Sequence, residues 1–188
     1  MDYHTGVSVK GVKYRFAGVT YKDLSGNIID NTTIAELAEY RGLDAAINEY
    51  VMEQVLKEAS VRSGENTVYV INLTGAQIAS DQFMSEFERR VRVYAIEPSK
   101  LVLSLSCRHK FRDSNKVASS AARLRKTGYT IAVSDFEEGD MALGDIGKYS
   151  VGLVTVHRDG TSDDIMCNGI IAALEAFRSA CDFDLCIL

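Results

Sequence analysis

The segment Thr67-Val68-Tyr69-Val70-Ile71-Asn72-Leu73 decides the fold class of this chain of 188 residues. It is short, apolar and rich in β-branched residues, which is the pattern of a strand buried on both faces in a parallel sheet. An extended pair opens the chain over 12–21, before a turn at 25–27. Further strands of the same kind are predicted over 101–106, 129–134 and 151–156, with a weaker one over 183–188.

Helical periodicity separates these strands. Apolar residues recur every three or four positions after residue 42 and predict one stripe on a helix, formed by Leu43, Ile47, Tyr50, Val51 and Val55. Similar spacing predicts helices over 83–94, 117–125 and 165–180.

Local signals place the ends of some of these helices. Thr33 and Glu36 have the spacing of a capping box, in which a hydroxyl and a carboxylate satisfy backbone donors. Gly42 and Gly128 suit the left-handed position that ends a helix.

Strand and helix therefore alternate about five times, which predicts parallel pairing with right-handed crossovers. An open doubly wound sheet and a (β/α) barrel both satisfy this order, and periodicity does not choose between them. No repeat or linker interrupts the chain, and its one proline is Pro98. We therefore predict a single domain over 1–188.

Composition excludes several classes of protein. Hydrophobic residues make up 46% and charged residues 25% of the chain, whose formal net charge is −5, so the chain is globular and lacks the concentrated basic surface of a nucleic-acid-binding protein. The basic run over 89–92 is interpreted as a solvated helix face. No apolar run approaches the ~20 residues of a membrane span, and residues 1–10 lack a signal-peptide core, so we expect a cytoplasmic protein.

The four cysteines show neither Cys-x-x-Cys nor Cys/His ligand spacing, so neither zinc nor a disulfide framework is predicted.

Several segments match known motifs in the right order. Residues 33–56 (TIAELAEYRGLDAAINEYVMEQVL) are similar to a helix pair written FIPLAEESGL with a Val-Leu-rich helix, and 68–74 to a strand ending Val-Asn-Leu-Ser. Residues 101–107 replace a Leu-Glu-Ile-Thr-Glu strand, 123–129 fit a Leu-Arg-x-x-Gly connection, and 131–143 fit an Asp-Asp-Phe-Gly-Thr-Gly loop. In this succession the chain from about Tyr14 to Leu188 resembles the EAL domain, a (β/α) barrel that hydrolyses cyclic di-GMP.

The resemblance implies an EAL-type barrel that is incomplete or distorted, because a barrel of this class takes about 250 residues. The chain ends inside what should be the seventh parallel strand. Residues 1–11 are predicted to supply a replacement edge strand through the alternation Val7-Ser8-Val9. A contact is expected at the open side over 183–188, where apolar residues are costly to leave in water, namely Phe183, Leu185, Ile187 and Leu188.

The resemblance also implies the position of a site at the carboxyl ends of the strands, where the family holds two divalent metals with carboxylates, an asparagine and a lysine. Asn72 keeps the asparagine, and Asp135 keeps the second of two paired aspartates. The other positions are substituted: Phe16 replaces the glutamate of Glu-Ala-Leu, Ser104 the strand glutamate, Cys107 a second acid, Ser134 the first aspartate, Thr155 the lysine and His157 the aspartate after it.

These substitutions predict a protein that is not an enzyme and holds no cofactor, because Mg²⁺ needs carboxylate charge that Asn72 and Asp135 alone do not supply. Non-catalytic members that sense cyclic di-GMP keep an arginine where this chain has Thr20, so binding of cyclic di-GMP is disfavoured. The leading hypothesis is a regulatory or scaffolding protein whose partner is another protein or a second copy. A cyclic di-GMP receptor and a residual phosphodiesterase are the alternatives.

Single residues keep alternative interpretations. Asn72 and Asp135 are either a remnant site or strand-end groups that hydrogen-bond neighbouring loops. His157 is either a group that titrates near neutral pH or a capped, solvated side chain. Cys107 with His109 suggests a thiol nucleophile, but no orienting acid accompanies them. The acidic loop over 137–140 is either a solvated turn or, because the resemblance implies that this loop links the active site to the dimer surface, a change that alters dimerisation.

Overall fold

The structure is a computed structural model, and it describes every residue except 30–33, 35, 36, 39, 63–66, 108, 109, 138 and 159–164. Strands and helices alternate along the described part of the chain. The strands are β1 (Asp2–Val7), β2 (Lys13–Gly18), β3 (Tyr21–Lys22), β4 (Ile28–Ile29), β5 (Val68–Leu73), β6 (Leu101–Ser106), β7 (Thr130–Ser134), β8 (Leu153–Val156) and β9 (Asp184–Ile187). The α-helices are α1 (Asp44–Val61), α2 (Gly75–Ala79), α3 (Asp81–Val93), α4 (Ser114–Lys126), α5 (Leu143–Lys148) and α6 (Ile165–Arg178), and a 3₁₀ turn spans Pro98–Lys100.

Seven strands form one sheet in the order β1-β2-β5-β6-β7-β8-β9. Strands β2 and β5 to β9 pair in parallel, whereas β1 pairs with β2 in the antiparallel direction. The two ends of the sheet meet, since the backbone N–H of Val9 donates to the carbonyl of Leu185 at 2.8 Å. The sheet is therefore a nearly closed barrel, which confirms the predicted (β/α) barrel and decides against the open doubly wound sheet.

The two faces of this sheet carry different cores. Alternate residues of the strands point into the barrel, where they form one small cluster around Tyr14, Val70, Val102, Ala132, Leu153 and Cys186. The other residues of the same strands pack against the surrounding helices in a larger cluster. Strands buried on both faces are largely apolar, which is why 68–71 and 101–103 read as continuous apolar runs, whereas the polar residues Asn72, Ser104 and Ser106 lie towards the carboxyl ends of the strands.

Two predicted helix ends are confirmed. Gly42 has a φ of +68° and Gly128 a φ of +101°, and this left-handed backbone is one that glycine adopts without a steric penalty. The predicted capping box of Thr33 and Glu36 lies outside the described residues. A capping box that the sequence analysis missed begins α2, where Thr74 accepts from the N–H of Gln77 at 3.1 Å.

The apolar stripe predicted for α1 is partly wrong. Val51 and Val55 are buried, but Leu43 and Tyr50 are 53% and 55% exposed. The inward face of α1 also includes Met52, Leu56 and Ala59, because the C-terminal half of the helix packs on the sheet. Leu43 and Tyr50 therefore belong to a face that the fold leaves uncovered.

The expected edge strand at the N-terminus is present as β1, but it ends at Val7 and does not centre on residues 7–9. Val7 and Val9 are exposed, whereas Ser8 is buried. The side over 183–188 that was expected to be open is covered by the chain's own first strand, and the expected contact with a partner there stays a prediction. Phe183 and Leu185 are buried, because β1 and the turn after it cover β9, which is the sixth parallel strand of the sheet and not the seventh.

The structure bears on two predictions made from composition, namely the basic run over 89–92 and the expected lack of a membrane span. Arg89 and Arg90 lie on α3, where Arg89 pairs with Glu86 at 2.7 Å and Arg90 pairs with the same carboxylate at 2.9 Å. The basic run is thus a paired, partly solvated helix face. Among the helices that the structure describes, none is long and apolar enough to cross a membrane.

Candidate functional site

The parallel strands bring most of the predicted site residues to one place, the barrel mouth, which we define as the carboxyl ends of β2 and β5 to β9. Asn72 lies beside Ser104 in the register of β5 and β6. Ser106 lies beside Ser134 on the next pair of strands. These residues alternate along their strands in step with the residues of the small core cluster. Their side chains therefore lie on the same face of the sheet and point into the barrel.

Two of the substituted positions form the floor of the mouth. Ser104 and Thr155 are each 1% exposed, and the Thr155 hydroxyl donates to the carbonyl of Val133 at 3.4 Å. The half-buried ring of Phe16 packs on the same inner cluster, with its centroid 6.3 Å from that of Tyr14. The floor is therefore neutral, and its β2 position is apolar.

Asp135 is held by the hydroxyls around it. Its Oδ2 accepts hydrogen bonds from Ser106 Oγ at 2.8 Å and from Ser134 Oγ at 3.2 Å. The residue has a φ of +57°, a left-handed backbone that a non-glycine residue adopts at a cost. This geometry matches the interpretation of Asp135 as a strand-end group bonded to its neighbours.

A carboxylate that the sequence analysis placed in a solvated turn faces inward instead. Glu137 Oε1 accepts from the backbone N–H of His157 at 3.0 Å. Its Oε2 is buried, and no hydrogen-bond partner for it lies among the described residues. Burial raises the pKa of Glu137 above its usual range. The spacing of charges in 137–140 does not distinguish an inward from an outward carboxylate, so the sequence held no signal for this contact.

The side chain of His157 is exposed. Its backbone N–H bonds Glu137, and its carbonyl accepts a weak contact from Cys167 Sγ at 3.6 Å. The structure therefore ties His157 to the mouth through its backbone, in agreement with the interpretation of a solvated side chain.

Cys107 is buried beneath the loops of the mouth. Its N–H donates to the carbonyl of Ser134, and its own carbonyl accepts from the N–H of Asp140, both at 2.9 Å. Burial, with a smaller contribution from nearby carboxylates, raises the pKa of the Cys107 thiol to about 12. A thiol this hard to ionise is a poor nucleophile, and His109 lies outside the described residues.

Thr20 has a local partner. Its hydroxyl donates a hydrogen bond to the carboxylate of Asp2 at the start of β1. The position that the resemblance assigns to an arginine of cyclic di-GMP receptors is thus occupied by a short neutral side chain that hydrogen-bonds this chain's own first strand.

The described residues of the mouth do not fit the pair of divalent metals that the resemblance implies. Among the described residues, no group of three or more histidine, cysteine, aspartate or glutamate side chains is arranged to hold a metal ion. Ser104 and Thr155 are neutral, and Asp135 already accepts two hydroxyl donors. Hard divalent cations need several anionic oxygens in one array, and these residues do not supply them.

Comparison with known proteins agrees with this geometry of strands and mouth. The family model for the EAL domain matches residues 4–181, so the chain belongs to the EAL domain family.

Solved structures show the same fold. The EAL enzyme Bd1971 with cAMP and cyclic di-GMP bound is 15% identical, with a TM-score of 0.82 over 97% of this chain and 53% of that chain. The PaMucR phosphodiesterase in complex with c-di-GMP is 19% identical, with a TM-score of 0.79 over 97% and 81%. The FimX EAL domain from Pseudomonas aeruginosa bound to c-di-GMP is 15% identical, with a TM-score of 0.72 over 96% and 75%. The chain thus spans about half the length of the first of these proteins.

Proposed function

We propose that this chain is a cytoplasmic EAL domain that does not hydrolyse cyclic di-GMP and acts, as a single domain, by binding another protein. The observation that carries this proposal is the neutral floor of the barrel mouth. Ser104 and Thr155, at the positions of the family's glutamate and lysine, are buried hydroxyl groups. Phe16, at the position of the signature glutamate, packs into the inner core cluster.

The chemistry of hydrolysis requires what this floor lacks. Two metal ions must be held by carboxylates so that one of them can lower the pKa of the attacking water. Loss of one supporting group at such a site commonly costs 10- to 100-fold in metal affinity or activity, and here several positions differ together. Asn72 and Asp135 remain, but Asp135 is engaged by Ser106 and Ser134.

The test is an assay of purified protein with cyclic di-GMP and excess Mg²⁺ or Mn²⁺, followed by chromatography for the linear dinucleotide. We expect the substrate to stay intact, while an active EAL phosphodiesterase assayed in parallel converts it. Turnover that is abolished by Asn72→Ala or Asp135→Ala would overturn the proposal.

A second candidate function, a cyclic di-GMP receptor without hydrolysis, is favoured by one observation. Three similar structures, those of Bd1971, PaMucR and FimX, are described as holding cyclic di-GMP. Against it stands Thr20, which bonds Asp2 and offers no guanidinium fork to a phosphate. Calorimetric titration with cyclic di-GMP distinguishes the two functions. Saturable heat from the wild-type protein, lost in Asn72→Ala, would favour the receptor.

A further inference from the structure

The helix α6 is mostly apolar, yet most of its surface faces solvent. Eleven of its fourteen residues, with glycine included, have no polar side-chain group. Only Cys167 and Leu174 are buried, and both belong to the larger core cluster. A helix that is apolar on all sides is normally covered by other protein. The outer face of α6 is therefore a surface that the fold itself does not use.

Four exposed residues without a polar side-chain group form one line along α6. They follow each other at spacings of four, three and four positions, which brings them to the same side of the helix and is the spacing of a helix–helix contact. We call this line the α6 ridge, and its residues are Ile165, Gly169, Ala172 and Ala176. Ile165 is 84% exposed, and nothing lies within 4 Å of a Cβ at Gly169. The ridge is therefore open to a partner.

The side-chain sizes along the α6 ridge suit a second copy of the same ridge. Two helices that pack antiparallel about a two-fold axis bring the first ridge residue of one copy to the last ridge residue of the other, and the second to the third. Ile165 then lies against Ala176 of the second copy, and Gly169 lies against Ala172. Each layer contains at most one bulky side chain, so the two helices can approach closely.

One flank of the α6 ridge carries a positive and a negative group. Asn168 and Glu175 are seven residues apart, which is about two turns of helix, so both lie on this flank. The Arg158 guanidinium is held beside Asn168, whose Oδ1 accepts a hydrogen bond from Nη2 of Arg158 at 3.0 Å. The Glu175 side chain is exposed, and no side-chain hydrogen bond or ion pair joins it to another described residue. The two charges thus lie about two turns apart and do not pair within one chain.

These charges are complementary between two antiparallel copies. A two-fold axis keeps the same flank of both helices on one side of the contact. Glu175 of each copy then faces Asn168 and Arg158 of the other, and two carboxylate–guanidinium pairs form, one towards each end of the contact. In a parallel pair the same flank would face the opposite flank of the second helix, where Met166 and Ala173 carry no charge. The charges therefore favour an antiparallel second copy.

We propose that two copies of this chain associate through the α6 ridge, with their helices antiparallel about a two-fold axis and Glu175 of each copy paired with Arg158 of the other. The proposal goes beyond the proposed function and does not depend on it. A helix of fourteen residues is about 20 Å long, so the contact lies at the low end of the sizes of specific interfaces. The dimer is therefore reversible, and its population depends on protein concentration.

The experiment is sedimentation velocity of the full chain over a series of concentrations. The average mass of the wild-type protein should rise from that of one copy towards that of two. Glu175→Arg alone and Arg158→Glu alone bring like charges together across the contact, so each should weaken association by roughly tenfold. The double variant Glu175→Arg, Arg158→Glu restores opposite charges and should associate as the wild type does. Such a recovery depends on contact between the two positions in different copies.

A second pair of variants tests the ridge itself. Ala172→Glu places a charge in the centre of the contact and should abolish association, whereas the matched Ser85→Glu on the exposed side of α3 should leave it unchanged. Circular dichroism checks that each variant is folded. A protein that stays monomeric at every concentration would overturn the proposal, as would a dimer that survives Ala172→Glu or a double charge variant that associates no better than the single ones. The measurements contain no cyclic di-GMP, so their outcome is independent of the hydrolysis assay.

Discussion

The Ser8 hydroxyl donates a hydrogen bond of 2.5 Å to Asp184 Oδ2, and this bond ties the turn after the first strand to the start of the last strand. Both residues are buried. The other oxygen of Asp184 accepts from the backbone N–H of Lys10 at 3.2 Å. The ends of the sheet are therefore joined through a buried carboxylate as well as through the backbone.

Ser8→Ala should lower the free energy of unfolding by about 1–3 kcal/mol, because a buried carboxylate oxygen loses its hydroxyl donor. Urea unfolding followed by circular dichroism measures this. The control is Ser85→Ala on the exposed side of α3, which should stay within about 0.5 kcal/mol of the wild type. Equal effects of the two substitutions would contradict a specific role for the Ser8–Asp184 bond.

Gly6→Ala should also destabilise the barrel. A Cβ at Gly6 would lie 2.6 Å from Leu188 Cδ2 and 2.7 Å from Cys186 Sγ, and overpacking of this kind typically costs about 1–3 kcal/mol. Gly18→Ala is the matched control in the neighbouring strand, because nothing lies within 4 Å of a Cβ there. Thermal unfolding of the two variants should separate them, and a Gly6→Ala protein as stable as Gly18→Ala would show that β1 does not close on β9 as described.

Glu137→Gln should stabilise the protein at neutral and alkaline pH. Burial raises the pKa of this carboxyl in the folded state, so the folded protein binds its proton more tightly than the unfolded chain does. The contribution of Glu137 to the stability of the wild-type protein is therefore fully present below the pKa that its carboxyl has in the unfolded chain. This contribution decreases as pH rises through the pKa that the carboxyl has in the folded protein. The stability difference between variant and wild type should be largest near pH 8 and shrink towards pH 4 in chemical unfolding. A difference that does not change with pH would argue against an inward carboxylate.

The cysteines should differ in reactivity. Burial raises the pKa of Cys107 to about 12 and that of Cys186 to about 11, whereas Cys181 is only partly buried. Iodoacetamide at pH 8 should label Cys181 first, because the thiolate is the reactive form and must be accessible. Peptide mass spectrometry gives the order of labelling, and a denatured sample provides full labelling as the reference. Rapid labelling of Cys107 in the folded protein would reopen the nucleophile hypothesis.

The elements that the sequence predicted best are those whose residues are buried on both sides. Residues 101–106 form β6 as expected, because Leu101, Leu103 and Leu105 pack towards the helices while Val102 points into the barrel. The α1 stripe was misplaced because helical spacing identifies a face without telling which residues of it meet the sheet. Leu43 and Tyr50 fit the helical spacing of the apolar stripe, but their side chains are exposed to solvent.

The site was predictable in composition but not in geometry. Aligning Ser104 and Thr155 with family positions predicts a neutral floor, and their burial is what the strand register adds. The bonds from Ser106 and Ser134 to Asp135 depend on the relative height of two strand ends. The contact of Glu137 with His157 joins two loops that are 20 residues apart. Neither distance is encoded in local sequence patterns.

The reversed direction of β1 has a consequence for protein engineering. Because β1 runs antiparallel to β2, it descends from the mouth, while β9 ascends towards it. Leu188 packs beside Gly6, and Asp2 lies four strand residues further along, roughly 13 Å at about 3.3 Å per residue. A linker of about six residues would therefore join the last residue to the first across the rim of the mouth. Residues 1–188 are thus suited to circular permutation. In such a variant residue 188 is linked to residue 1, and one peptide bond is opened elsewhere, for example in the turn around Gly26. The order of the strands in the sheet stays the same.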